Sequence, residues 1–193
     1  MTLLRFRFGF GLVFALALVG CGNGSVHSDA DAMKAYLGLD ASIDKAIGLG
    51  FDGFNSPSTG ANIMPQMASG TLTGTLTVTG IVDQGSSPNK NMTLSTDYKM
   101  YSDIGKVTYD ATAGALPVLA MSLKGIPTGT LSGSLNGALT MTGDLKNAVT
   151  LALTFTGTLQ AGANNTVIRA PGTTHIVGTA TSDYGTYTVD VTR

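Results

Sequence analysis

Glutamate and tryptophan are absent from this 193-residue chain, cysteine occurs once, and charged residues make up only 12% of it. Each scarcity excludes something. One cysteine permits neither an internal disulfide nor a multi-cysteine metal site. No Lys/Arg cluster follows the first seven residues, so nucleic acid is not an expected partner. The longest uncharged apolar run, within Phe8 to Val19, is short of the roughly 20 residues a membrane-spanning helix needs. Alternating strands also occur in membrane β-barrels, but with no Trp and few aromatics to form interfacial girdles the chain is not read as one.

The residues that are present point to strands. All twelve acidic residues are Asp, and the chain holds 27 Thr and 26 Gly. Glu favours helices, whereas Thr favours strands and Asp and Gly favour turns. Hydrophobic content of 43% is enough for one core of ordinary domain size.

Residues 1–20 have the build of a secretory leader, with Arg5 and Arg7 ahead of the apolar stretch and small residues at its end. Leu18-Val19-Gly20-Cys21 resembles the lipobox of bacterial prolipoproteins at all four positions. That resemblance implies a diacylglyceryl thioether on the Cys21 sulfur, cleavage between Gly20 and Cys21, and N-acylation of the new terminus. It covers about the first tenth of the chain and makes a membrane the expected partner through lipidated Cys21. Two or more acyl chains give stable anchoring where one gives only marginal binding. Gly22, where inner-membrane lipoproteins often carry Asp, resembles the outer-membrane class of Gram-negative bacteria. Loss of Arg5 and Arg7 leaves nine basic against twelve acidic residues, a net charge of -3.

Residues 21–28 read as a lipidated, flexible tether and residues 29–68 as a helical segment and loop. Ser28 or Asp29 caps a first helix containing Met33, Tyr36 and Leu37. Asp40 caps a second, with Ile43, Ala46 and Ile47 on one side, and Gly48, Gly50 and Gly53 then end helical character. From 69 to 193 the period changes to two. Leu72, Leu76, Val78 and Val82 alternate with threonines, and Met92, Leu94, Tyr98, Met100 and Ile104 alternate with polar residues. Similar runs follow at 107–111, 119–123, 131–145, 149–159, 176–180 and 187–191. Short turns between them predict an antiparallel meander. The expected fold is therefore all-β, a closed or half-open barrel with a β-sandwich as the alternative. GTLTGTL at 70–76 and GTLSGSL at 129–135 form an internal echo consistent with a duplicated hairpin.

No catalytic, cofactor or metal constellation emerges. His27 and His175 lack a nearby carboxylate pattern. Asp97, Asp103 and Asp110 match no calcium loop and read as a solvated strand face. No G-x-S-x-G elbow or phosphate loop is present. The resulting expectation is a non-enzymatic, lipid-anchored envelope protein that binds an apolar small molecule, a lipid or another envelope component. The alternatives are a structural module with a fully packed interior and, third, an envelope hydrolase. The first reading rests on the anchor and on a curled sheet whose interior is lined by Leu, Val, Met and Phe. There Gly74, Gly80, Gly133, Gly137 and Gly157 leave volume unfilled unless neighbouring strands or the helical segment close over them. Cys21→Ser is expected to abolish lipid labelling and membrane retention; a variant that still sediments with membranes at its processed size contradicts the lipoprotein reading.

Overall fold

The computed structural model describes residues 24–55, 62–83 and 85–193. Gly20 and Cys21, where cleavage and lipidation are expected, lie outside them. Two helical pieces open the described fold, α1 (Asp29–Leu37) and α2 (Asp40–Asn55), meeting at a bend. Ser28 caps α1: its hydroxyl accepts from the Asp31 N–H at 3.1 Å and donates to the Asp31 carboxylate at 2.7 Å. Ala32, Ala35 and Tyr36 recur at helical spacing and are buried. At the bend, a Cβ on Gly38 would overlap the Tyr109 hydroxyl.

The expected stop at Gly48 does not occur, and α2 runs through all three glycines to Asn55. Three interior glycines cost about 1 kcal/mol each relative to alanine. Burial of Ile43, Ile47 and Leu49 contributes about 2 kcal/mol each and outweighs them. Two of the glycines also let the helix lie close to the sheet. Gly50 faces Met92 and Leu94, and Gly53 faces the Ile63 side chain.

Ten strands follow: β1 (Asn62–Ser69), β2 (Thr73–Val82), β3 (Lys90–Ser102), β4 (Val107–Ala111), β5 (Val118–Lys124), β6 (Thr130–Gly143), β7 (Asn147–Ala161), β8 (Val167–Arg169), β9 (His175–Ser182) and β10 (Gly185–Thr192). All pairings are antiparallel in one sheet ordered β1-β2-β3-β4-β6-β7-β9-β10. Strands β4 and β5 share the slot between β3 and β6, and β8 pairs with the end of β7. The meander is as expected. Where the 112–117 loop interrupts the shared slot, inward-facing Thr96 sends both its N–H and its hydroxyl to the Pro117 carbonyl, at 2.9 and 3.0 Å.

Two boundaries differ from the sequence reading. β1 lies within the expected loop; Pro65 and a register shift between Ile63 and Gln66 hide its alternation. The parity of β3 also breaks. Met100 has φ 47° opposite a register shift in β2, so Tyr101 rather than Met100 turns inward. Leu72, Met100 and Ile104, all expected on the apolar face, are exposed instead.

The sheet has one apolar face, formed by residues such as Leu76, Leu94, Tyr98, Leu135, Leu151 and Phe155, and both helices lie on it. α1 packs against β9 and β10, while α2 packs against β1, β2, β3 and β8. Three polar or aromatic contacts fix their positions. Tyr109 donates to the Ala35 carbonyl at 2.8 Å, Ser42 and Tyr98 share a hydrogen bond at 2.9 Å, and the Tyr36 and Phe155 rings stand 6.1 Å apart. The expected flexible tether is docked from Gly24 onward: its carbonyl accepts from the Lys146 N–H at 2.7 Å, and Val26 is buried.

Candidate functional site

Three places gather chemistry-bearing side chains. The first is a cleft of about 440 Å³ between α2, β8 and the chain's last residues, lined by Asp40, Asp44, Arg169 and Arg193 among others. The short β8 strand carries Arg169 beneath α2 by pairing with Leu159, Gln160 and Ala161. Arg169 is 7% exposed. Its Nη1 donates to Asp40 Oδ1 at 2.9 Å, its Nη2 to Asp44 Oδ2 at 2.8 Å and its Nε to Asp44 Oδ1 at 3.0 Å. Tyr36 donates to Asp40 Oδ1 at 2.5 Å, and Arg193 Nε reaches Asp40 Oδ2 at 3.3 Å.

Burial pushes the Asp40 carboxyl pKa up, but the hydrogen bond and charge of Arg169, then Tyr36 and Arg193, outweigh it and hold the pKa below its ordinary value. Burial likewise opposes the Arg169 charge, and Asp44 and Asp40 more than offset it, so its pKa is raised. Burial first, then Asp40, raises the Tyr36 pKa. Two carboxylates against two guanidiniums leave this cluster neutral, with the Arg169 guanidinium turned into internal bonds. It clamps the helix to the sheet. Sequence reasoning missed it because Asp40 and Asp44 lie 129 and 125 positions from Arg169.

The second place is Asp103, expected on a solvated face. Its side chain is 4% exposed and accepts from Lys45 Nζ at 2.6 Å, from the Thr71 N–H and hydroxyl at 2.8 Å each, and from Tyr101 at 2.5 Å. Burial opposes its charge, and these donors, Lys45 foremost, lower its pKa overall. The other two members of the expected acidic face serve separately: Asp97 faces Lys99 at 3.2 Å, and Asp110 accepts from the Met100 N–H at 2.8 Å. His175 pairs with Asp190 at 2.8 Å on the exposed face of the β9–β10 hairpin, and His27 lies 2.8 Å from both Ser25 O and Asp31. Among the described residues no three His, Asp, Glu or Cys side chains converge on a position that could hold a metal ion.

The third place is a cleft of about 400 Å³ at the sheet end away from Gly24, lined by Phe51, Phe54, Lys90, Ile126 and Val167 among others. Lys90 Nζ lies 4.5 Å from the Phe54 ring centroid and donates to the Gly85 carbonyl. The expected interior gaps at the strand glycines are occupied by neighbouring chain. A Cβ at Gly80 would overlap Thr93 O, one at Gly133 would overlap Ala120 O, and one at Gly137 or Gly157 would crowd Pro117 or Thr174. The chain matches no family model, no curated protein and no solved structure.

Arg169→Met leaves Asp40 buried without its main cation and is expected to cost about 3–5 kcal/mol at neutral pH in urea unfolding. Because the folded pKa of Asp40 is depressed, its contribution is present above the unfolded value of about 4 and is lost as pH falls through the folded value. The stability gap between wild type and variant is therefore expected to narrow from pH 7 to pH 3. An unchanged gap contradicts the clamp.

Proposed function

We propose that this is a non-enzymatic, lipid-anchored protein of the bacterial cell envelope: a half-open β-barrel whose own helical segment fills it, presenting its outer surface and rim to another envelope component. One observation carries the choice between a carrier and a packed module. Tyr36, Leu39, Ile43 and Ile47 of the helical segment are fully buried against a sheet face that includes Leu76, Leu94, Tyr98, Leu135 and Phe155. Side chains of that size occupy the volume an apolar ligand would need inside the curl. Acylated Cys21 supplies the membrane attachment in this reading, at the outer membrane if the organism is Gram-negative.

The Phe51–Ile126 cleft favours a second reading, a small apolar or aromatic ligand held at the rim. A few half-buried aromatic and aliphatic walls with one cationic neighbour suit such a molecule better than the closed interior does. Titration of the membrane-extracted protein with an environment-sensitive hydrophobic dye separates the readings. The packed module predicts no saturable uptake and no co-purified small molecule in native mass spectra. Saturable uptake abolished by Ile126→Trp favours the rim ligand. Saturable uptake that Ile126→Trp leaves intact and Leu151→Trp removes overturns the packed interior.

A further inference from the structure

We propose that the end of the sheet around Gly24 is a membrane-contacting surface, which seats the body directly on the phospholipid bilayer in one orientation. This rests on the lipid-anchor reading of Cys21 and asks what the folded body does once anchored. Three chain steps separate Cys21 from Gly24, a reach of about 10 Å even fully extended. Gly24 is already part of the fold, hydrogen-bonded to Lys146 in the β6–β7 turn. Two residues further on, the Val26 carbonyl accepts from Ser182 at the β9–β10 turn, at 2.5 Å. The acyl chains therefore hold this end, and no other, within one short connection of the lipid headgroups.

The same end carries large apolar side chains that are exposed to solvent. Leu72 is 57% exposed, Met100 67%, Ile104 47% and Tyr184 52%. They are linked to the attachment point through contiguous turns. Leu72 sits against Gly105, next to Ile104; the Lys106 carbonyl accepts from the Asp144 N–H at 2.8 Å; and Lys146 bonds to Gly24. On the other flank the Tyr184 N–H donates to Ser182 Oγ at 3.1 Å. Exposed Lys106 and Lys146 stand between the two apolar flanks, beside exposed Asp183 and an Asp144 that is paired with Lys34 at 3.0 Å. The two ammonium groups reach headgroup phosphates while their stems lie along apolar surface. Tyr at the edge of such a surface suits an interface that is apolar on one side and wet on the other. The opposite turns, at 85–89, 125–129 and 170–174, carry none of the large exposed apolar side chains, Ile126 in the second of them being half-buried in the rim cleft. The remaining exposed apolar residues are on strands: Met67 and Val118 along β1 and β5, and Met64 and Ile81 toward the far ends of β1 and β2.

The chain contains no Trp, so single substitutions serve as reporters. Leu72→Trp, Ile104→Trp and Tyr184→Trp mark the anchored end, and Ser87→Trp marks the far end. Each full-length lipoprotein is purified from membranes, its acylation read by intact mass, and reconstituted in phosphatidylethanolamine–phosphatidylglycerol vesicles containing brominated lipid. The expected result is a blue shift and about a twofold loss of emission at the first three positions, with no change at Ser87→Trp, as befits side chains at the headgroup–acyl boundary. Unquenched reporters at 72, 104 and 184 in protein whose mass carries the acyl groups overturn the seated orientation and leave the anchor intact. Equal quenching at Ser87→Trp does the same. A mass without acyl groups overturns the anchor itself, and the orientation with it.

Discussion

An antiparallel sheet whose edge strands β1 and β10 do not pair with each other has one apolar face to cover and two edges to protect. Helices α1 and α2 do both. α1 lies along β9 and β10, where Asp29 accepts from the Thr188 N–H at 2.7 Å, and α2 lies along β1, where Lys45 donates to the Ser69 carbonyl at 3.1 Å. A single Gly-Leu bend lets 27 residues turn across the concave face and present Ser42 to β3, the Ala35 carbonyl to β4 and Tyr36 to β7 as well. Without that cover, residues such as Tyr98, Leu135 and Phe155 would face water, a loss of about 2–3 kcal/mol for each large side chain. Pro65 and the bulge in β1 add protection against edge-to-edge association.

Much of this was legible in the residues. Thr-on-one-face alternation located β2, β3, β6, β7, β9 and β10, because a sheet with one covered face writes its burial directly as period two. The Ser28 cap was legible for a similar reason, since its chemistry is local. What escaped was non-local. Three residues cannot display alternation, so β8 was silent, and Arg169 finds its carboxylates only after the sheet curls back to α2. Parity was also misleading wherever the backbone slips by one residue: Met100 at φ 47° reverses the assignment of the rest of β3. Alternation likewise does not decide between gap and close approach at the strand glycines. Their missing side chains let adjacent backbones close up in a coiled sheet, and what looks in sequence like an empty position is filled by a neighbour's carbonyl.

The polar clusters follow the same logic as the helical cover. Arg169 with Asp40 and Asp44, and Lys45 with Asp103, each join the helical segment to the sheet near opposite ends of that sheet. Buried ion pairs of this kind contribute little net stability, but a shifted arrangement would strand a charge, which is costly. Here that cost disfavours other registers of α2 over an otherwise apolar surface. Docking of residues 24–26 against two turns extends that fixed geometry to within three residues of Cys21.

The helical segment is part of the sheet's core and not a lid over it. Native-state amide hydrogen exchange tests this most directly, because it reports the free energy at which each segment opens. The amides of Ile43, Ala46 and Ile47 are expected to exchange only with global unfolding, at the same free energy as those of Leu135, Leu151 and Leu153 in β6 and β7. If α2 exchanges by a separate opening, several kcal/mol below the strands, the helices swing away from an otherwise intact sheet, and the account of a filled interior is wrong.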